Sequence, residues 1–399
     1  MITYHEAYTI VLKHSMDFGR VQVPLDKADD RILAEDILAD RDFPPFDRAT
    51  KDGIAIALEG DKQPLDYYNV QGIAAAGASQ LTLVDPSHCL EVMTGAIMPK
   101  NANTVVMYEH IALKEGQAYI NQSVTSGQNV HAKGSDEPRG SVLLSKGQRV
   151  SAAEVGILAA VGKSSVLVQK NPKVGLFSTG DELVPIDAVP KVHQIRRSNA
   201  HTLKAALGQE GIGADMLHIQ DDKQTIHKAL DKAMTMYDVL ILSGGVSKGK
   251  YDFLPEVLEE LGVQKHFHRV QQRPGKPFWF GTDPKTGTII FGFPGNPTST
   301  FANYHLYFRP WLNTCFGQPS SEVDVFLTDD FENTTDLTRF IRAYAFVEKG
   351  RLYARLVHGN GSGDLTSLTM ANGFVRVGPK KKLNKNKSAV FVPTRKILW

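Results

Sequence analysis

The apolar positions of this chain change rhythm along its length. From Tyr4 to about His14, Ala7, Ile10 and Val11 recur at helical spacing and predict a first amphipathic helix. After "RDFPPFDRATKDG" the pattern breaks into short strand-like runs separated by Gly, Pro, Asn and Asp, through about Gly140, which predicts a β-rich domain. "SAAEVGILAAVG" restores the helical period: Ser151 stands three residues before Glu154, a capping-box spacing, and Gly162 closes the run. This helix is expected to return the chain to the first one. From Pro172 to about Asn313 the rhythm alternates. "KVGLFSTG", "ADMLHIQ", "YDVLILSGG" and "TIIFGFPGNP" read as strands, with "NAHTLKAALGQEG", "KQTIHKALDKAMTM" and "DFLPEVLEELG" as helices between them and a final helix after the last. Such alternation predicts a doubly wound, mostly parallel sheet covered on both faces, which binds ligands beyond the carboxyl ends of its strands.

Those ends carry the candidate chemistry. Three strands finish in small or polar residues: "STGDEL" with Ser178, Thr179 and Gly180, "SGGVSKGKYD" with Gly244, Gly245 and Ser247, and "FPGNPTS" with Pro294, Gly295, Asn296, Pro297 and Ser299. In a parallel sheet these turns share one rim. Asn296 can cap a helix, Pro297 suits its first position, and Thr298 and Ser299 add hydroxyls, so that the terminus would attract an anion. "RPGKPFWFG" sets Arg273 and Lys276 around a rigid turn, able to supply positive charge to a phosphate or another oxyanion. Asp181, Glu182 and Asp252 could hold a hard cation such as Mg²⁺. Taken singly, a Gly-Gly after a strand also marks a tight turn, an Asp-Glu pair a cap and a lone lysine a solvated side chain; their convergence on one rim is what points to a site.

Composition narrows the classes. At 399 residues the chain is long for one core, so roughly two to four domains are expected. With 42% hydrophobic and 22% charged residues it reads as globular rather than disordered. A net charge of +2 argues for neither nucleic acid nor membrane. Cys89 and Cys315 are too few for a disulfide framework or a thiolate metal site, and a reducing cytoplasm fits best. No run approaches the roughly 18 apolar residues of a membrane span, and no targeting segment is evident. Familiar motifs fail on spacing. Gly245 to Gly249 is one residue short of a P-loop, glycines at 244, 245 and 249 do not make a dinucleotide fingerprint, and no H-E-x-x-H exists. His266 and His268 read as strand-face residues, and "PKKKLNKNKS" as a solvated hairpin turn rather than a nucleic-acid patch.

The order "PPFDRATKDGIA", "MTGAIMPKNANTVVMYEH", "STGDELV", "SGGVSKGKYD", "RPGKP", "FPGNPTS" and "GSGDLTSLTMANGF" resembles the MoeA and gephyrin E-domain family of molybdopterin molybdenumtransferases over essentially the whole chain. The resemblance implies a multidomain α/β plus β protein: a helical linking region at 1–25 and 136–170, an inserted β-rich domain at 26–135, an α/β molybdopterin-binding domain at 171–315 and a C-terminal β-barrel at 316–399. It implies insertion of molybdenum from molybdate into adenylylated molybdopterin with release of AMP, in a cytoplasmic homodimer whose site is shared between subunits. A non-catalytic molybdopterin-binding or scaffold homologue and a molybdopterin adenylyltransferase remain open alternatives, and a separate adenylyltransferase could dock as a partner.

Carried over by motif, Asp52 matches the acid of the family's "MDG" and Thr94 the hydroxyl of "TGA". Asp136 matches an acid of the linking segment, Glu182 that of "TGDE" and Asp252 the last acid of the "GGVS" loop, which makes these the candidates for Mg²⁺ and the adenylate. Arg273, Lys276 and Ser299 match the positions around "PGK" and "PGNP", while Arg342 of "RFIRAYAF" and Ser367 of "GSGDLTS" resemble positions expected to approach molybdate; turn capping is an equal reading for Asp136 and Ser367. The chain departs from the family's pattern at Lys51, Arg197 and Lys250, each adding positive charge.

Overall fold

The computed structural model describes residues 1–60, 62–246, 252–319, 322–361 and 363–395. The chain forms two compact units. One comprises Met1–Val21, Asp30–Ile32 and the chain from Leu167 onward, the other Gln22–Asp29 and Leu33–Val166.

In the first unit, the helix Tyr4–Lys13 is fixed at its start by Thr3 and Glu6: the Glu6 N–H donates to the Thr3 hydroxyl and Glu6 accepts from the Thr3 N–H at 2.8 Å. Its buried stripe of Tyr4, Ala7 and Val11 has the spacing read from the sequence. The centre of this unit is a six-stranded sheet in the order Ala214–Ile219, Val174–Thr179, Val239–Ser243, Ile289–Phe293, Trp279–Thr282, Gln264–His268. The first four are parallel, Trp279–Thr282 runs antiparallel to them, and Gln264–His268 runs antiparallel to Trp279–Thr282. Period-two alternation sorts the inner strands between two cores. Val239 and Ile241 pack with Leu203 and Leu207 of the helix Ser198–Gln209. Leu240 and Leu242 pack with Ile226 and Leu230 of Lys223–Met236 and with Val257 of Leu254–Glu260. Both faces are covered, as the unbroken apolar strands predict. The final helix runs from Pro297 to Cys315 through a π-helical stretch at Tyr304–Phe308.

Still within this unit, Thr338–Glu348, Arg351–Leu356, Val323–Leu327, Ser388–Pro393 and Gly373–Val377 close into a five-stranded barrel, because the last strand pairs back onto the first. Its interior is filled by small and branched side chains such as Ala343, Ala345 and Val375, together with the Phe391 ring. The lysine-rich turn follows Gly373–Val377 and leads into its hairpin partner Ser388–Pro393, with Lys382–Leu383 paired to Phe331–Glu332.

The second unit is built on a mixed six-stranded sheet in the order Thr104–Met107, Gly53–Ile56, His88–Val92, Tyr67–Ala74, Gln117–Ile120, Ile111–Lys114. It also holds the helix Ala152–Ala160, opened by the reciprocal Ser151 and Glu154 bonds that the spacing predicts.

Candidate functional site

In the parallel register Ser178 stands opposite Ser243, and Ser243 opposite Phe293, so the three turns leave the sheet side by side. They line one cleft of about 660 Å³, with Ser178, Thr179, Gly180, Gly244, Gly245, Pro294, Gly295, Asn296 and Pro297 on its wall. Gly244 and Gly245 have φ of 100° and 64°. A Cβ on Gly244 would lie 2.7 Å from the Thr179 carbonyl oxygen, and one on Gly245 2.9 Å from the Thr179 hydroxyl. Both positions therefore require glycine for conformation and for space. The Thr179 hydroxyl itself is buried and has no hydrogen-bond partner among the described residues. Asn199, which sequence reading passed over, ties the rim together, since its amide donates to the Ser243 hydroxyl at 3.0 Å and to the Gly295 carbonyl at 2.7 Å. Asn296 occupies the N-cap position and Pro297 the first turn, but the Asn296 side chain makes no capping bond. Ser247 and Lys250 lie outside the described residues.

Glu182 and Asp252 line the same cleft together with Asp221. Asp221 is the acid the sequence reading missed; only its place just beyond the strand Ala214–Ile219 could have flagged it. Its carboxyl is raised from the ordinary 3.8, first by burial and then by the negative charge of Asp181, with Glu182 and Asp252 adding to it. Asp181 accepts from the Asp221 N–H at 3.2 Å. Among the described residues no three of these or other His, Cys, Asp or Glu side chains form a ready-made metal site. Arg196 and Arg197 lie on the same wall.

Arg273 and Lys276 do not line this cleft. They line a second one of about 420 Å³ with Ser299, Thr298, Arg339, Arg342 and His358, and the two clefts share Pro277 and Asn296. The "RPGKP" turn is locked from below by a buried polar network. Gln272 donates to Asn303 at 2.9 Å and to the Pro274 carbonyl at 3.0 Å, Tyr307 donates to Gln272, and Asn303 donates to the Gly275 carbonyl. Burial lowers the proton affinity of Arg342, against the pull of Asp364. A Cβ on Gly359 would lie 2.2 Å from its guanidinium, so that glycine leaves the room Arg342 occupies. Ser367 lines neither cleft; it is buried, and its N–H and hydroxyl both donate to Asp364 at the start of the short helix Thr366–Thr369.

Asp52, Thr94 and Asp136 belong to the second unit. Asp52 precedes the strand Gly53–Ile56 and Thr94 follows His88–Val92, and the pairing of Gly53 with Val92 brings the two together. One Asp52 oxygen accepts from the Thr94 N–H at 2.6 Å and from its hydroxyl at 2.8 Å, which holds the carboxyl below its usual range. Asp136 is hydrogen-bonded to His131 at 2.8 Å, whose other ring nitrogen meets Arg48 at 3.0 Å. Lys51 is exposed. His266 and His268 are structural: the first meets the Thr282 hydroxyl and the second the Val246 carbonyl. Both cysteines are free, and burial pushes the Cys89 thiol up to about 12 and Cys315 to about 11, so neither is poised as a nucleophile.

Comparison with known proteins gives a consistent result. Residues 2–162 match the MoeA N-terminal region (domain I and II), residues 175–314 the probable molybdopterin binding domain, and residues 324–393 the MoeA C-terminal region (domain IV). The chain is 38% identical to the molybdopterin molybdenumtransferase of Synechocystis sp., over 94% of this chain and 95% of that one. It is 34% identical to the protein of the same name from Bacillus subtilis, over 88% and 84%. The crystal structure of the molybdopterin biosynthesis MoeA protein from Pyrococcus horikoshii superimposes with a TM-score of 0.83 at 28% identity, covering 98% of this chain and all of that one.

Proposed function

This chain belongs to the MoeA family of molybdopterin molybdenumtransferases, and from that premise we propose that it inserts molybdenum from molybdate into adenylylated molybdopterin with release of AMP. The observation that carries this reading is the pair of adjoining clefts with opposite chemistry. The larger, walled by small turns and bearing carboxylates, suits a pterin substrate with its adenylate; the smaller, with no carboxylate among its described lining residues, suits a tetrahedral dianion. The dithiolene sulfurs belong to the substrate, so cysteines that are not poised as nucleophiles fit the chemistry.

In this reading Gly244, Gly245 and Gly295 let the substrate approach the main chain. Arg342, Lys276, Arg273 and Ser299 hold molybdate beside it. Ser367 contributes through Asp364, by shaping the loop next to Arg342. Asp52, kept ionised by Thr94, and Asp136 are assigned to the adenylate chemistry on the strength of the family motif. Mg²⁺ fits the chemistry of the donor set: oxygen ligands only, around an Asp221 carboxyl that burial and then the neighbouring carboxylates lift. Glu182 and Asp252 would hold it beside Asp221, and because among the described residues no three acids form a site, substrate oxygens and water would complete its shell. Bound there, it would neutralise charge on the adenylate phosphate. Arg197 on the same wall supplies part of that charge from the protein itself.

A cytoplasmic homodimer with a shared site, the fourfold domain division at residues 25, 135, 170 and 315, and supply of substrate by an adenylyltransferase partner complete the proposal. Among the described residues no helix is long and apolar enough to cross a membrane. The test mixes the protein with adenylylated molybdopterin, molybdate and Mg²⁺ and follows AMP release together with cofactor delivered to an apo-molybdoenzyme. Both signals are expected, and both should vanish in Asp52→Ala and Glu182→Ala. Tight binding of the pterin with neither signal would establish a binding or scaffold protein instead. Sedimentation of the same preparation at twice the chain mass checks the dimer.

A further inference from the structure

Arg273 and Arg339 face each other across a short parallel pairing, in which Gln272 lies opposite Thr338 and Arg273 opposite Arg339. Both line the second cleft. Like charges at directly opposed positions of paired strands repel, and Arg273 does lower the proton affinity of the Arg339 guanidinium, second only to burial. Nothing in the wall offsets this repulsion, because the lining residues that carry charge are Arg273, Lys276, Arg339 and Arg342, with His358 and no carboxylate among the described residues. The Arg339 Nε is buried and has no hydrogen-bond partner among the described residues, while its guanidinium carbon sits 6.0 Å from the centre of the Phe331 ring. The aromatic face steadies the side chain without consuming its donors. Two guanidinium groups set side by side without a carboxylate in the wall are an arrangement that costs stability until an anion occupies the cleft between them.

We propose that Arg273 and Arg339 form a two-guanidinium clamp for a tetrahedral dianion, and that Arg339 sets the preference of this cleft for doubly over singly charged oxyanions. The proposal rests on the reading of the second cleft as the molybdate site. The selectivity follows from Coulomb's law. The attraction contributed by a fixed cation scales with the ligand's charge, so one guanidinium more favours a dianion about twice as strongly as a monoanion of the same shape. Arg suits the task better than Lys because its planar fork presents parallel donors to two oxygens of a tetrahedral anion.

The experiment measures binding of molybdate, a dianion, and perrhenate, a tetrahedral monoanion, by calorimetry at constant ionic strength, alongside the thermal midpoint of the anion-free protein. The variants are Arg339→Gln, Arg339→Lys and Arg342→Gln in the full chain. Arg339→Gln should weaken molybdate roughly ten- to hundredfold, as expected for a charge-assisted contact, and perrhenate distinctly less. Its anion-free midpoint should rise, because the repulsion is gone. Arg339→Lys should recover part of the molybdate affinity. Molybdate binding within twofold of wild type in Arg339→Gln, with loss in Arg342→Gln, would overturn the clamp and leave the cleft as the molybdate site. A midpoint that falls in Arg339→Gln would also overturn it, by showing a structural role. Unchanged binding in both Gln variants would overturn the clamp and the molybdate reading together.

Discussion

Thr94 gives Asp52 two donors from one residue, and the backbone N–H has the larger effect on its carboxyl. The valine variant keeps the shape and the N–H but removes the hydroxyl. In Thr94→Val the Asp52 titration, followed by carboxyl NMR, should therefore move upward without reaching the ordinary value of 3.8. A carboxyl depressed in the fold lends stability that is present above its unfolded pKa and is lost as pH falls through the folded one, so the variant should be less stable than wild type at neutral pH, and the difference should vanish in the acid range below about pH 4. Turnover should fall less than in Asp52→Asn, which removes the charge itself. An unmoved titration would show that the hydroxyl does not hold the carboxylate. The two residues were individually legible in the sequence through their motifs, but their contact was not. It is made by the register of two strands separated by more than thirty residues, and no local window records register. Asp221 was hidden for a related reason: "IQDDK" looks like any polar loop until the neighbouring strand ends bring Asp181 and Glu182 beside it.

At the scale of elements, legibility followed the strength of the local signal. The alternating strands and helices of the α/β sheet, the Ser151 capping box and the first helix were all read with nearly their observed bounds, because period and capping chemistry are local. The position of "RPGKP" was not, since the turn was expected among the three rim turns and lies in the adjoining cleft instead. What moves it there is its pairing with the barrel strand Thr338–Glu348 and the buried Gln272, Asn303 and Tyr307 network, contacts across about thirty residues or more. Gly53 is the element-scale residue most open to test. A Cβ there would lie 1.9 Å from the Val106 carbonyl oxygen, a backbone atom of the neighbouring strand that cannot rotate aside. Gly53→Ala should destabilise the second unit by about 1–3 kcal/mol, the cost of overpacking, and because Asp52 is the adjoining residue it should also disturb the Thr94 contact. Urea unfolding measures the first effect and the Asp52 titration the second. Wild-type stability in the variant would mean that the strands separate there at little cost.

For the molecule as a whole, the acids on the rim of the larger cleft set a local cost against a use. Burial and three neighbouring carboxylates raise the Asp221 carboxyl, which means that the fold resists its ionisation. The sign is opposite to that of Asp52: the contribution of Asp221 to stability is fully present below the unfolded carboxylate pKa and is lost as pH rises through the elevated folded value. Ionised, the group is thus a liability, and in the proposed reading the substrate complex with its cation, not the free chain, would relieve it. Asp221→Asn should raise the thermal midpoint at pH 7 and leave it nearly unchanged at pH 3, flattening the pH dependence between the two. Mg²⁺ should raise the wild-type midpoint, by neutralising the same group, and raise that of the variant less. AMP release should fall in the variant even as the fold becomes more stable, the pattern expected when charge repulsion is kept for chemistry rather than for folding. A variant less stable than wild type at pH 7 would show that the carboxylate is held by favourable contacts, and would remove the argument that this cluster is poised for a cation.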